Sequence, residues 1–405
     1  MTDFNLSNSS NLFKIKYAKL SENVYNSATV LLGRVNKTYD FVGKQKFQAI
    51  PTGFSGSVGS GTLPTAYISP VEGAILTAKK VYGVCTVDRE AIQAASTDEG
   101  AFVRQTKFSV QKTVESFMRN ANRIWFGNGT GNLGRGDGST NVTGAGTSGN
   151  PYVVVLNSDW VEANFEENDY INYDAETTLL LVDEVVPSTR TIKLVGTSTG
   201  LAALVAAPAS VPTTKYFSMQ GSLNNDPQGI KGVLDATSST LYGVTVARRW
   251  QAYQVASAGA GISTDMMNKD ILAIEKRCGK LPTMAMTSYT QFAKILNLLE
   301  DQKIYNLPAR SEALKGQISF KGVEIMTSSG PIPLFVDRFS DSDRLYYLND
   351  NFMTSVHRPG FGWFDDDGTV FLRDSGTDTY SARYGGYYEN YIVPSFHGVR
   401  TGLAI

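Results

Sequence analysis

Apolar residues recur along residues 98–126, DEGAFVRQTKFSVQKTVESFMRNANRIWF, at the spacing of one helical face. Val103, Val110, Val114, Phe117, Ala121 and Ile124 follow one another at intervals of 7, 4, 3, 4 and 3, which fits a period of about 3.6. Asp98 and Glu99 suit the positive end of the helix dipole. At about 1.5 Å per residue, a helix of roughly 27 residues spans about 40 Å. Its opposite face carries Arg104, Lys107, Lys112, Arg119 and Arg123. A basic face of this kind is ordinarily solvated, with acidic neighbours or DNA as the alternative partners.

The segment before this helix has a different texture. Residues 44–87 read as two extended arms around the tip GFSGSVGSGT, which holds Phe54 as its one large apolar residue. Two strands alone are marginal in water, so this hairpin is expected to rest on something outside its own domain. Residues 1–45 are polar, with scattered apolar side chains such as Phe13 and Tyr17. They cannot bury much surface by themselves.

After the helix, YVVVLN (152–157), TLLLVDEVV (178–186) and RTIKLVG (190–196) are strand-like runs separated by Ser, Thr, Gly and Pro turns. They predict a small β-barrel or sandwich inserted into the larger chain. From Gly229 the pattern is mixed. A helix over about 265–278 stops at Gly279, TMAMT (283–287) reads as a short strand, and Ser288 is placed to cap a second helix. GVEIMTS, PIPLFVDRF and RLYYLND follow as strands, which suggests an α/β layer. The tail, residues 371–402, is strand-like and rich in tyrosine.

The length of 405 residues allows two or three domains of about 150 residues each. The net charge is −1, from 37 basic and 38 acidic residues, with no basic run. The chain therefore lacks the electrostatic footprint of a nucleic-acid binder. Cys85 and Cys278 are too few for a disulfide framework or a zinc site and are expected to be buried free thiols. The N-terminus shows no apolar signal core, and no apolar run approaches the roughly 18 residues of a membrane span. A soluble intracellular product is expected. On that reading the sequons at Asn8, Asn36, Asn128 and Asn141 are chance matches.

Chemical motifs fail on context. Gly129, Gly131 and Gly134 form a literal GxGxxG, but the helix precedes them and turn formers follow. A dinucleotide fingerprint needs a strand before and a helix after. Arg135, Gly136 and Asp137 spell RGD and read as a turn. The only histidines, His357 and His397, make no zinc motif. Asp365, Asp366 and Asp367 lack the spaced ligands of a calcium loop. No nucleophile, base and oxyanion site assemble, so neither enzymatic activity, nor a metal, nor a cofactor is expected.

The order of the parts carries more information than any motif. VYGVCTVDREAIQAASTDEGAFVRQTKFSVQKTVESFMRNANRIWFGNGTG is similar to a hairpin-return strand, short helix, spine helix and glycine-rich turn. PQGIKGVLDA (227–236) resembles the return after that turn, and GPIPLFVDRF with RLYYLND resembles an axial strand pair. In this order they resemble the major capsid proteins of tailed double-stranded DNA bacteriophages, whose fold is shared with encapsulins and the herpesvirus capsid floor. The resemblance covers nearly the whole chain, though each motif alone is degenerate.

The resemblance implies an α+β fold with an N-terminal arm at 1–45 and an extended loop at 46–84. It implies a peripheral domain at 85–138 and 346–405 around the spine helix, a β-rich insertion at 139–226 and an axial domain at 232–345. The function implied is self-assembly into pentamers and hexamers of an icosahedral head around packaged DNA. An encapsulin-type shell or another virion component, such as a tail protein, is the alternative. The partners implied are further copies of the chain, a separate scaffolding protein, a portal protein, optionally a decoration protein, and DNA touched without sequence preference. No membrane is involved. The implied location is the virion, after assembly in the host bacterial cytoplasm. Expected assembly contacts are Phe13 and Tyr17 on the arm, Phe54 and Tyr67 on the hairpin, Lys79 and Lys80 at its base, and Arg104, Lys107, Arg119 and Arg123 on the spine helix. Some capsids of this family cross-link a hairpin-tip lysine to a neighbour's asparagine. Residues 53–66 contain no lysine, so denaturing gels of assembled material are expected to show single chains and no ladder of multiples.

Overall fold

The computed structural model describes residues 30–41, 43–51, 71–88, 99–237, 240–245, 248–301, 323–327, 330–358, 360–365, 368–373 and 376–405. The spine helix runs Glu99–Phe126 over 28 residues. Val110, Val114, Phe117, Ala121 and Ile124 are all buried, as their spacing predicts. They pack on a sheet organised by one 14-residue strand, Thr379–Ile392. Along one edge that strand pairs with Lys79–Asp88, in register from Thr379 opposite Asp88 to Tyr388 opposite Lys79. Its other edge is shared in succession by Phe371–Arg373, Gly362–Trp363 and Met353–His357. Asn36–Thr38 extends the sheet by a parallel pairing with Met353–His357.

Alternate residues of the long strand face the helix. Tyr384 meets Phe117 edge-on at 5.0 Å between ring centres, a geometry that adds to area burial. Each fully buried side chain of this size contributes about 1.5–3 kcal/mol. Close strand approach is needed at Gly385, where a Cβ would stand 2.2 Å from the Val81 carbonyl oxygen. Any side chain there would force the two longest strands apart.

The insertion is a six-stranded antiparallel sheet running from Gly134–Arg135 through Tyr216–Met219, Tyr170–Tyr173, Leu180–Val186 and Thr191–Val195 to Tyr152–Val155. A bridge from Gly136 to Leu156 joins its two ends, closing it into a small barrel. The barrel has its own core, which includes Leu156, Ile192, Leu194 and Phe217. The glycine-rich exit from the spine helix leads directly into this barrel and packs closely. Gly131 sits at φ 76°, and a Cβ there would meet the Ser222 carbonyl oxygen at 2.4 Å. The RGD triplet is structural: Arg135 pairs with Asp159, while Asp137 accepts the backbone N–H groups of Ser139 and Thr140. Those bonds hold the Asp137 carboxyl at about 2 despite its partial burial.

A third, mixed sheet has the order Tyr253–Ala256, Gly398–Thr401, Leu345–Leu348, Met284–Thr287, Gly330–Val336, Val323–Thr327. Met284–Thr287 is buried at every position, as expected of a strand covered on both faces. Helix Thr264–Cys278 packs against this sheet. Ser263 caps it, and Gly279 ends it at φ 70°, donating to Glu275 at 2.7 Å. The resemblance assigned residues 346–405 to the peripheral part. The strand Gly398–Thr401 lies inside this third sheet, pinned by Arg400 to Asp270 of the helix. The reading of two buried thiols is corrected. Cys85 is buried, but Cys278 is only partly so, because it sits at the helix end where the chain turns back towards solvent.

Candidate assembly surfaces

The hairpin arms are Gln45–Pro51 and Val71–Thr77, with Pro51 opposite Val71 and Phe47 opposite Ile75. Strand alternation divides them into two faces. Ile50, Ala74 and Leu76 turn inward and are buried. Ile75 also donates its N–H to the Tyr242 carbonyl at 2.8 Å, which ties the hairpin to the body of the chain. The outward face is apolar as well: Phe47 is 68% and Val71 60% exposed, and Ile75 lies on it opposite Phe47.

A second apolar face lies on the solvent side of the long strand pair. Tyr82 is 44% and Val84 57% exposed. Tyr82 stands edge-on to Tyr387, with ring centres 6.2 Å apart. Partial burial and the neighbouring Tyr387 hydroxyl push the Tyr82 phenol up to about 12. Lys80 is exposed on the same face and lies in register with Tyr387, whereas Lys79 is half-buried. Exposed patches of this kind mark contact surfaces.

Two arginines of the spine helix's basic face meet acidic residues, one of the alternatives the sequence left open. Arg119 pairs with Glu166 and, at 2.6 Å, with Asp169, both on the barrel. Arg123 is 6% exposed. It donates to Asp226 at 2.8 Å and to Asn120 at 2.9 Å. These two guanidinium groups are therefore consumed within the chain, because the insertion folds back over the C-terminal half of the helix and brings its acids to them. Arg123 is not available to a neighbour or to DNA. Lys112 pairs with Glu115 on its own helix at 2.9 Å. Arg104 and Lys107 lie on the helical backbone, but their side chains, like Phe13, Tyr17, Phe54 and Tyr67 entirely, lie outside the described residues.

Phe47, Val71, Tyr82 and Val84 escaped the sequence reading. The signal was present in QKFQAIP and VEGAILT, where both parities of the alternation hold apolar residues, the mark of a strand meant to be covered on both sides.

Beneath these surfaces, Glu389 is buried where the return from the insertion meets the long strand. It accepts the Gln228 N–H at 2.7 Å, and burial pushes its carboxyl up to about 7. Among the described residues no group of three or more His, Cys, Asp or Glu side chains is placed to hold a metal ion. No described helix is long and apolar enough to cross a membrane.

No protein-family model and no curated protein matches the sequence. Solved structures do match. A chain of the cyanophage A-1(L) capsid asymmetric unit superposes with a TM-score of 0.53 at 10% identity, covering 92% of this chain and 91% of that one. This chain has the tailed-phage major capsid fold. A chain of the capsid of Myoviridae phage XM1 aligns at 11% identity and a TM-score of 0.43, over 93% of this chain and 92% of that one. A chain of the SrpI encapsulin complex from Synechococcus elongatus aligns at 7% identity and 0.43, over 93% and 89%. Within the capsid fold, the two exposed apolar faces belong to the hairpin and to the long strand pair around the spine helix.

Proposed function

We propose that this chain is a major capsid subunit, assembling through pentamers and hexamers into an icosahedral head that encloses double-stranded DNA. The observation that carries this reading is the outward hairpin face, with Phe47, Val71 and Ile75 exposed on two strands that are marginal alone. A second copy covering that face converts intrachain weakness into intersubunit area, and many weak contacts in a closed shell act together. On this reading residues 1–45 are an arm, 46–84 an extended loop, 85–138 with 346–405 a peripheral part, 139–226 an insertion and 232–345 an axial part. The role is structural, with no chemical step. The protein is a virion component, and scaffolding and portal proteins are its partners in assembly. Near-zero net charge fits DNA driven in by an external motor more than DNA condensed on a basic lining.

Electron microscopy and sedimentation of the full chain, expressed alone and with its upstream gene, test the reading. Uniform closed shells support it, and dependence on the upstream gene identifies a scaffold. A monomer under every condition overturns it. Phe47→Asp places a charge in the covered face and is expected to abolish shells while shifting the unfolding midpoint of the dispersed chain by less than about 2 °C, since exposed substitutions are near neutral in the monomer. Shells of normal yield from this variant would remove the hairpin face from the interface.

A further inference from the structure

Charge is divided unevenly along the chain. Residues 139–226, the insertion, hold ten acidic and three basic residues, whereas the rest of the chain holds 28 acidic and 34 basic. The near-neutral total is therefore an acidic barrel attached to a basic body. Opposite signs on two parts of one molecule steer what each part meets.

The outer surface of the barrel combines its acidity with an apolar stripe. Leu181 stands opposite Tyr170 on one side and opposite Val195 on the other. Their neighbours Ile171, Leu180 and Leu194 fill the core, so strand alternation turns these three outward. Tyr170 is exposed, and so is Leu179, two residues from Leu181 on the same face. The Asn168 N–H reaches the Val182 carbonyl at 2.8 Å, which brings Glu167 and Asp183 to one end of the stripe. Both are exposed, and neither has an ion pair among the described residues. Other acids of the barrel differ, since Asp159, Asp169, Asp174 and Glu184 are each held by a base of the same chain.

The outward face of the long strand pair has the opposite sign. Tyr82, Phe364 and Tyr387 form an aromatic trio with ring centres 5.8, 6.1 and 6.2 Å apart. Lys80 lies opposite Tyr387, and Arg383 opposite Val84. Both bases are exposed, without an ion pair among the described residues. Tyrosine and arginine are the side chains that most often anchor protein contacts.

We infer that the barrel of one copy seats its Tyr170–Leu181 stripe on the Tyr82–Tyr387 face of the next copy, with Glu167 and Asp183 against Lys80 and Arg383. This contact presupposes the shell reading and names one of the interfaces a shell needs. A second copy is the occupant because the chain carries both complementary halves, apolar against apolar and acid against base. The patches also match in breadth, since three barrel strands span about 10 Å and Lys80 to Val84 about 13 Å. The contact joins two different surfaces and is therefore head-to-tail, the kind that closes rings.

Charge reversal on one face and then on both tests the pairing. Two double variants of the full chain, Glu167→Lys with Asp183→Lys and Lys80→Glu with Arg383→Glu, are expressed with the upstream gene. Each is expected to cut shell yield, read by sedimentation and electron microscopy, at least tenfold, because it sets like charges against each other. The unfolding midpoint of each dispersed chain is expected to stay within about 2 °C of wild type, since the substitutions are exposed. The quadruple variant restores opposite signs and is expected to regain at least half the wild-type yield. Normal shells from both double variants, or no recovery in the quadruple variant, overturn the contact and leave the shell reading standing. Failure of the barrel variant alone, with normal shells from Lys80→Glu with Arg383→Glu, also overturns it and assigns the barrel to a separate basic protein. A wild-type chain that never assembles overturns both readings.

Discussion

Asp270→Ala is expected to lower the stability of the third sheet and its helices by about 3–5 kcal/mol, the usual cost of removing one partner of a buried ion pair. Asp270 lies on helix Thr264–Cys278 at 1% exposure. It accepts two bonds from Arg400, from Nε and Nη2, each at 2.6 Å, and a third from the Tyr347 hydroxyl at 3.2 Å. Arg400 also donates to Ser257 at 3.0 Å. One carboxylate thus ties the helix to two strands of the sheet, including the one nearest the chain's end. Its removal leaves a guanidinium and a phenol without their acceptor in a dry interior. Thermal unfolding of the dispersed chain should show a transition moved down by about 10 °C. Replacing both partners by apolar groups, Asp270→Leu with Arg400→Met, should recover more than half the loss, because the penalty lies in the unpaired charge more than in the missing attraction. A midpoint shift below about 2 °C in Asp270→Ala would show that water or another group already satisfies Arg400.

That pair also marks where sequence reading stops. The spine helix was legible because its spacing is long and regular, and Gly279 and Ser288 punctuate their helices by local chemistry. The strand runs of the insertion were legible too. The sequence left barrel and sandwich both open, because closure depends on Gly136 meeting Leu156, and local alternation does not encode such a pairing. For the same reason the pairing of Gly398–Thr401 was not legible. Nothing in GVRT reveals that its partners are residues 345–347 and 253–256. The arginines of the spine helix teach a similar lesson about the candidate surface. A basic helical face looks solvated until its partners are known, and the acids that engage Arg119 and Arg123 lie 50 and 103 residues downstream. The exposed hairpin face could have been read, because both parities of its strands are apolar. The eye goes to the tip, where glycine and serine dominate.

Acidification is the second large effect, and its sign follows from three buried groups. His357 sits among aromatic rings, 4.8 Å from Phe361 and 5.4 Å from Tyr388, with both ring nitrogens unpartnered. His397 accepts the Asn349 N–H at Nδ1, 3.1 Å away. Burial pulls both imidazoles down to about 4. Between pH 6.5 and 4 the unfolded chain therefore binds more protons than the folded one. The stability each histidine contributes is complete above pH 6.5 and is lost as pH falls through 4, by about 3 kcal/mol apiece. Glu389 acts in the opposite direction. Its folded value near 7 lies above the ordinary 4.5, so its contribution is complete below pH 4.5 and is lost as pH rises through 7. The two histidines together outweigh Glu389 between pH 4.5 and 6.5, so the unfolding midpoint should fall on the acid side and level off from about pH 7 to pH 8. His357→Phe keeps the aromatic packing without a titrating ring, and should remove most of the slope between pH 4.5 and 6.5, where His397 and Glu389 then nearly cancel, while leaving pH 7 stability equal or higher. Glu389→Gln should raise the midpoint at pH 8 and leave it unchanged at pH 5, since its amide oxygen still accepts the Gln228 N–H. Parallel midpoint-against-pH curves for wild type and both variants would show that these buried groups do not set the pH response. Separation at opposite ends of the range would assign the acid limb to the histidines and the height of the plateau above pH 7 to the glutamate beneath the insertion's return.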